Sequence, residues 1–191
     1  CREHLEEVGY EVVSDSVFSK ISDTCTPQGV LCVLKQFHYN IEEMLRDKAP
    51  LFLLLENIQD PGNLGTMLRT GEGAGVSGII MSRDTVDLYN PKVIRSTMGS
   101  IYRVPFYYAD DFAAAVHQVQ QAGVSVYAAH LRGKNSYACQ DYTKGTAFLI
   151  GNEGNGLREE TAELADCYIR IPMEGKVESL NAAVASSILM Y

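Results

Sequence analysis

Three stretches of this sequence gather residue types that can do chemistry. The first, "NIQDPGNLGTMLRT" at 57–70, follows the apolar run "LFLLLE" and holds two glycines, a proline, two asparagines and Arg69. A strand that passes through a polar, glycine-bearing turn into a helix can hold an anion at the helix N-terminus. The same residues also suit a tight connection, with Asn63 as helix N-cap, or a turn that presents Arg69 for chemistry. The second stretch is "LIGNEGNGL" at 149–157. Gly151, Gly154 and Gly156 let the backbone turn tightly and approach a ligand without Cβ atoms in the way. Glu153 would repel a phosphate there, so a ligand with hydroxyl or amine donors suits the loop better; a glycine loop with no ligand is the alternative. The third is "IPMEGKVESLNAAVASSILMY" at 171–191, where Ser179 or Asn181 can cap a helix. Small residues at 182, 183, 185, 186 and 187 permit close backbone approach, which a capped core helix would also explain.

Other glycine patterns lead elsewhere. "GAGVSG", with Gly73, Gly75 and Gly78, matches G-x-G-x-x-G in form. A dinucleotide fingerprint leaves a strand and enters a helix, whereas these glycines leave a helix and enter a strand. A helix C-cap and close helix–sheet packing explain them. There is neither a G-x-x-x-x-G-K-[ST] phosphate loop nor a G-x-S-x-G nucleophile elbow.

The elements that must position these residues alternate from residue 51 onward. Strand 51–56 leads to a helix at 63–74, then strand "GIIM" (78–81), a helical stretch at 91–98 and strand "YRVPF" (102–106). Helix 111–122 opens with acids and stops at Gly123, as the helix dipole and C-cap preferences favour. Strand "VSVYAAH", a loop rich in Gly, Asn and Ser, strand "AFLIG" (147–151), helix 158–165, strand "YIRIP" (168–172) and helix 180–191 complete the series. Such alternation predicts an α/β fold, a mostly parallel sheet with helices on both faces. Before it, "CREHLEEVG" reads as the end of a charged helix stopped by Gly9, and "YEVVS" and "GVLCVLKQF" read as strands flanking a short helix or turn. A polar connector at 38–50 places a boundary near 40–48.

The bulk properties are those of a globular chain with a real core: 46% hydrophobic and 21% charged residues. No apolar run approaches the roughly 18 residues of a membrane span, and no signal pattern opens the chain, so a cytoplasmic protein is expected. The start at Cys1 without a methionine and the stop at Tyr191 inside a helical pattern suggest a piece of a longer protein. The five cysteines (Cys1, Cys25, Cys32, Cys139, Cys167) show no C-x-x-C spacing, and His4, His38, His117 and His130 complete no ligand set. Reduced thiols and no metal are expected. A net charge of −8 argues against coating nucleic acid by bulk attraction. Local grip remains open: "NPKVIRSTMGSIYRVPF" carries Lys92, Arg95 and Arg103 without an acid, either an RNA contact or a solvated positive face.

Taken in order, the three blocks resemble the SpoU/TrmH family of RNA 2′-O-ribose methyltransferases, of the SPOUT class. The residues that carry the resemblance are N-x-x-D-P-x-N-x-G-x-x-x-R at 57–69, I-G-x-E-x-x-G at 150–156 and S-L-N at 179–181; it extends over 51–191. The resemblance implies a C-terminal deep trefoil knot, which the rule against threaded connections would not suggest. It implies that the knot holds S-adenosyl-L-methionine, with Leu149, Ile150, Gly151, Asn152, Gly154, Gly156, Ile171, Met173, Ser179, Leu180 and Asn181 as the cofactor-binding set. By the same resemblance Arg69, Asn63, Glu153, Ser179 and Asn181 form the catalytic set, and Arg69, Lys92, Arg95 and Arg103 meet RNA. An arginine keeps its proton, so Arg69 suits a bidentate phosphate contact that orients the ribose better than a role as general base. A homodimer is implied, with the last helix in its interface and the site completed across it. Residues 1–45 resemble the tail of the small α/β, ribosomal-protein-like RNA-binding domain that precedes many such catalytic domains, leaving 46–191 as the methyltransferase domain. Ribosomal RNA of 23S type is the expected substrate; the alternatives are transfer RNA, or a non-catalytic RNA-binding module of the same fold.

Overall fold

The computed structural model describes residues 6, 7 and 9–191. The chain divides into two units, 1–37 and 38–191. In the first, the helix expected over 1–9 lies mostly outside the described residues, with Glu6 and Glu7 helical. Helix α1 (Asp15–Ile21) is capped by Ser14, whose Oγ accepts from the Val17 N–H at 3.4 Å. The two strands expected in this unit are absent: residues 10–14 and 29–37 carry no strand. Their apolar composition is real, but a strand needs a ladder partner and a covering face. Val12 and Val33 are 87% and 90% exposed.

The second unit is built on a parallel sheet. Its elements are α2 (Ile41–Met44), β1 (Leu51–Leu55), α3 (Pro61–Ala74), β2 (Gly78–Ser82), α4 (Pro91–Thr97), a 3-10 turn (Ser100–Tyr102), β3 (Phe106–Ala109) and α5 (Phe112–Gln121). There follow β4 (Ser125–Ala129), β5 (Asn135–Ser136), a second 3-10 turn (Tyr137–Cys139), β6 (Thr146–Ile150), α6 (Glu159–Ala162), β7 (Cys167–Arg170) and α7 (Ala182–Met190). The seven strands lie in the order β3-β2-β1-β6-β4-β7-β5, and every pairing is parallel. The chain steps outward from β1 to β3 and returns to lay down β4, leaving a slot that β6 fills. β1, β2 and β6 are buried along nearly their whole length, which is why they read as continuous apolar runs rather than alternating ones. Each fully buried Leu, Ile or Phe there contributes roughly 1.5–3 kcal/mol.

Two boundaries differ from expectation for local reasons. The strand expected at 102–106 starts only at Phe106. Pro105 has no N–H to give a ladder, and the Arg103 and Val104 N–H groups turn back to the Ser100 carbonyl. The helix expected at 158–165 is regular only over Glu159–Ala162, after which Leu164 and Ala165 bond three residues back. Helix α3 begins earlier than the sequence suggests, capped by Asp60 with Pro61 in its first turn, so Asn63 is not the N-cap. Gly75 closes that helix in the left-handed region at φ 78°, as a C-cap glycine should.

Because all strands run the same way, the loops after β1, β4, β6 and β7 gather at one edge of the sheet, where α/β proteins bind their ligands. α7 then packs against α3 and β6, burying Ala183, Ser186, Leu189 and Met190. The sheet order, the loop after β6 and the return of the chain past it to α7 are consistent with a trefoil-knotted architecture. No helix among the described residues is long and apolar enough to cross a membrane.

Candidate active site

The β1–α3 turn and the loop after β6 are locked to each other. Asn57 takes φ 54°, and its carbonyl accepts from Asn152 Nδ2 at 2.8 Å. Asn152 and Gly156 exchange backbone hydrogen bonds at 3.0 and 2.9 Å, closing residues 152–156 into an arch. Asn152 Oδ1 fills the arch from within, accepting from the Gly154 and Asn155 N–H groups. Gly151 is obligatory: a Cβ there would stand 2.2 Å from the Gly156 carbonyl carbon and the Leu157 nitrogen.

A polar relay runs from the arch to the start of α7. Glu153 accepts from the backbone N–H groups of Gln59 (3.1 Å) and Asp60 (3.0 Å) and from Asn63 Nδ2 (3.0 Å). Asn63 Oδ1 accepts from Asn181 Nδ2 at 2.9 Å. Asn181 Oδ1 in turn caps α7 by accepting from Ala183 and Val184 N–H. A carboxylate only accepts, so Glu153 fixes which way both amides point. Partial burial alone would raise the Glu153 pKa, but the donors of Asn63, Asp60 and Gln59 outweigh it and hold the group below its ordinary range.

Beside the arch lies a cavity of about 230 Å³. Ile150, Gly151, Asn152, Gly154, Gly156, Ile171, Met173, Ser179 and Leu180 line it, as does Glu153. Leu149 is fully buried in β6 and does not reach it. Asn181 lines instead an adjoining open depression with Gln59, Asp60, Pro61 and Asn63. Asn152 and Glu153 border both. Apolar walls from Ile150, Ile169 and Leu180, with bare glycine backbone opposite, suit a flat, partly apolar group such as an adenosyl moiety. Among the described residues no cluster of His, Cys, Asp and Glu has an arrangement for a metal ion.

The sequence did not point to His130 and Arg170, which also line the cavity. His130 Nδ1 accepts from the Arg132 N–H at 3.1 Å, and its ring lies 5.0 Å from Tyr168. Burial, reinforced by the Arg132 charge, lowers the His130 pKa. "VSVYAAH" held the available signal, since the residue after a parallel strand faces the ligand edge.

Arg69 is exposed on α3. It makes no hydrogen bond or ion pair among the described residues and lines neither the cavity nor the depression. The structure therefore does not bring it beside Glu153 within one chain. Lys92 and Arg95 are exposed on α4. Arg103 pairs with Glu72, donating from Nη2 at 2.9 Å, while Ser100 Oγ donates to the same carboxylate at 2.6 Å. Those two donors, the arginine foremost, draw the Glu72 pKa down to about 2.

Comparison with known proteins adds the following. Residues 50–191 match the model of the SpoU rRNA Methylase family. The chain is 35% identical over 180 residues to the 23S rRNA (guanosine(2553)-2'-O)-methyltransferase RlmP of Bacillus subtilis (strain 168), covering 94% of this chain and 70% of that one. The AdoMet-bound rRNA methyltransferase from Sinorhizobium meliloti superposes with a TM-score of 0.83 at 35% identity, over 93% of this chain and 68% of that one. The SpoU methyltransferase AviRb from Streptomyces viridochromogenes, in complex with AdoMet, gives a TM-score of 0.88 over 99% of this chain and 75% of that one. At 23% identity the last supports the fold alone.

Proposed function

The chain belongs to the SpoU rRNA Methylase family, an S-adenosylmethionine-dependent class of RNA methyltransferases, and on that premise we propose that it methylates a ribose 2′-hydroxyl of 23S-type ribosomal RNA. The similarity to RlmP supports the choice of RNA. The observation that carries the site is the relay Glu153–Asn63–Asn181, which ties the cavity to the depression beside it.

S-adenosylmethionine supplies an electrophilic methyl group on a sulfonium. In this reading the arch backbone and the walls from Ile150, Ile171 and Leu180 hold its adenosyl part. The target ribose enters the open depression at Asn63 and Asn181. Glu153 already holds three donors and stays ionised, so it positions the arch and the two amides. Arg69, unpaired and exposed on the helix that packs against α7, clamps a phosphate at the site of a second copy of the chain. Lys92 and Arg95 extend that grip along the RNA backbone, and Arg103 contributes less because Glu72 neutralises it.

The test is to incubate the purified protein and S-adenosylmethionine with 23S rRNA and with tRNA, then map ribose methylation. A cofactor-dependent 2′-O-methyl group in the rRNA is expected. Methylation of tRNA alone would overturn the choice of substrate.

A further inference from the structure

Glu56 is the buried carboxylate that the site described above does not use. It follows β1, is 1% exposed and bonds Arg158, just past the arch. It accepts from the Arg158 backbone N–H at 2.8 Å, from Arg158 Nη1 at 3.4 Å and from Thr161 Oγ1 at 2.5 Å. Arg158 is the N-cap residue of α6 and has no capping side-chain bond of its own. Glu56 therefore satisfies that N–H from just past the end of β1, 102 residues away in the chain.

The guanidinium of Arg158 reaches further, pairing through Nη2 with Asp84 in the loop after β2. Burial would raise the Asp84 pKa, but donors from Ser82 and Arg158 hold it below its ordinary range. Ser82 Oγ donates to Asp84 at 2.5 Å and accepts from the Asn57 N–H at 2.8 Å. Gln59 Nε2 donates to the Asp84 carbonyl at 2.5 Å. One arginine thus joins the exit of the arch, through Asp84, to the β1–α3 turn.

We propose that Glu56 and Arg158 are positioning residues that hold the far end of the 152–156 arch in its cofactor-binding shape. Glu153 fixes the crown of the arch and Glu56 fixes its foot. The Asn152–Gly156 backbone pair and the Asn152 side chain close the arch on itself, and these two anchors tie it to its surroundings. A buried charge whose partner is lost must recruit water or move. For Glu56 the movement would carry Arg158 and the adjoining Leu157, and through them Gly156, which lines the cavity. This inference rests on the cavity being the S-adenosylmethionine site.

The test compares the wild type with Arg158→Ala, Glu56→Gln and the double variant. Calorimetric binding of S-adenosylmethionine and steady-state methylation of RNA are measured, with circular dichroism and Tm as checks on folding. Arg158→Ala keeps the backbone N–H that Glu56 accepts, so it should fold even if Glu56→Gln does not. Its expected signature is a five- to tenfold weaker cofactor affinity, a matching rise in KM for the cofactor, and kcat and KM for RNA near wild type. The double variant should lose no more than Glu56→Gln alone. A folded Arg158→Ala protein that binds cofactor as tightly as the wild type, with only its Tm lowered, would overturn the proposal. A wild type that binds no S-adenosylmethionine would instead overturn the cofactor reading, and this one with it.

Discussion

Arg69 and Glu153 carry the two charges that the motifs single out, and the structure treats them oppositely. Arg69 is left exposed without an internal partner, while Glu153 is held by three donors. Arg69→Ala should therefore lower kcat at least ~100-fold, as loss of a charged contact made in the transition state does, and leave cofactor affinity unchanged by calorimetry. For Glu153 the sign follows from its lowered pKa. A depressed carboxylate lends stability that is complete above its unfolded pKa and is lost as pH falls through the folded one. The gap in Tm between wild type and Glu153→Gln should hold from pH 7 to about 5 and close as the pH falls below the ordinary glutamate value of about 4.3. A gap that widened in acid would show that Glu153 is not ionised in the folded protein.

At the scale of elements, close approach of backbones decides the architecture. A Cβ on Gly65 would meet Ser96 Oγ at 1.7 Å and the Val93 carbonyl oxygen at 2.9 Å, because α3 and α4 touch there. Overpacking of this kind costs ~1–3 kcal/mol, so Gly65→Ala should lower the unfolding free energy in urea by about that much. Gly151→Ala is expected to act on the site itself. Its Cβ would meet backbone rather than a side chain that could swing away, so the arch must open. Cofactor affinity should fall more than tenfold, with a smaller loss in denaturant stability. These contacts were only partly legible. The glycines of "LIGNEGNGL" announced a tight loop, but nothing near Gly65 in the sequence identifies Ser96 as its neighbour. The expected strands at 10–14 and 29–37 failed for a related reason: composition reports that a segment could pair, and pairing requires a partner.

For the whole molecule, Arg69 poses the question of assembly. Val184 of α7 and Tyr191 just past its end are 49% and 83% exposed, and α7 packs against the helix bearing Arg69. If a second copy covers that face, sedimentation should give a particle of twice 21.0 kDa, and Val184→Glu should reduce it to a monomer. Mixed dimers made by co-expressing the inactive Arg69→Ala and Gly151→Ala variants should regain activity, since one intact site forms across the interface. Two inactive variants that stay inactive together in a proven mixed dimer would show that Arg69 serves its own chain.

The alternation of apolar runs with amphipathic stretches determined the α/β class. The three ordered motifs each contribute one member of the relay, Asn63, Glu153 and Asn181. Both are local signals, written in spacing and residue type. What only the tertiary structure decided depends on residues far apart in sequence. The slot that β6 fills between β1 and β4, the foot of the arch resting on Glu56, and the separation of Arg69 from Glu153 within one chain all belong to that class. No window of sequence contains both members of such a pair; they are brought together when the sheet folds and sets its C-terminal loops side by side.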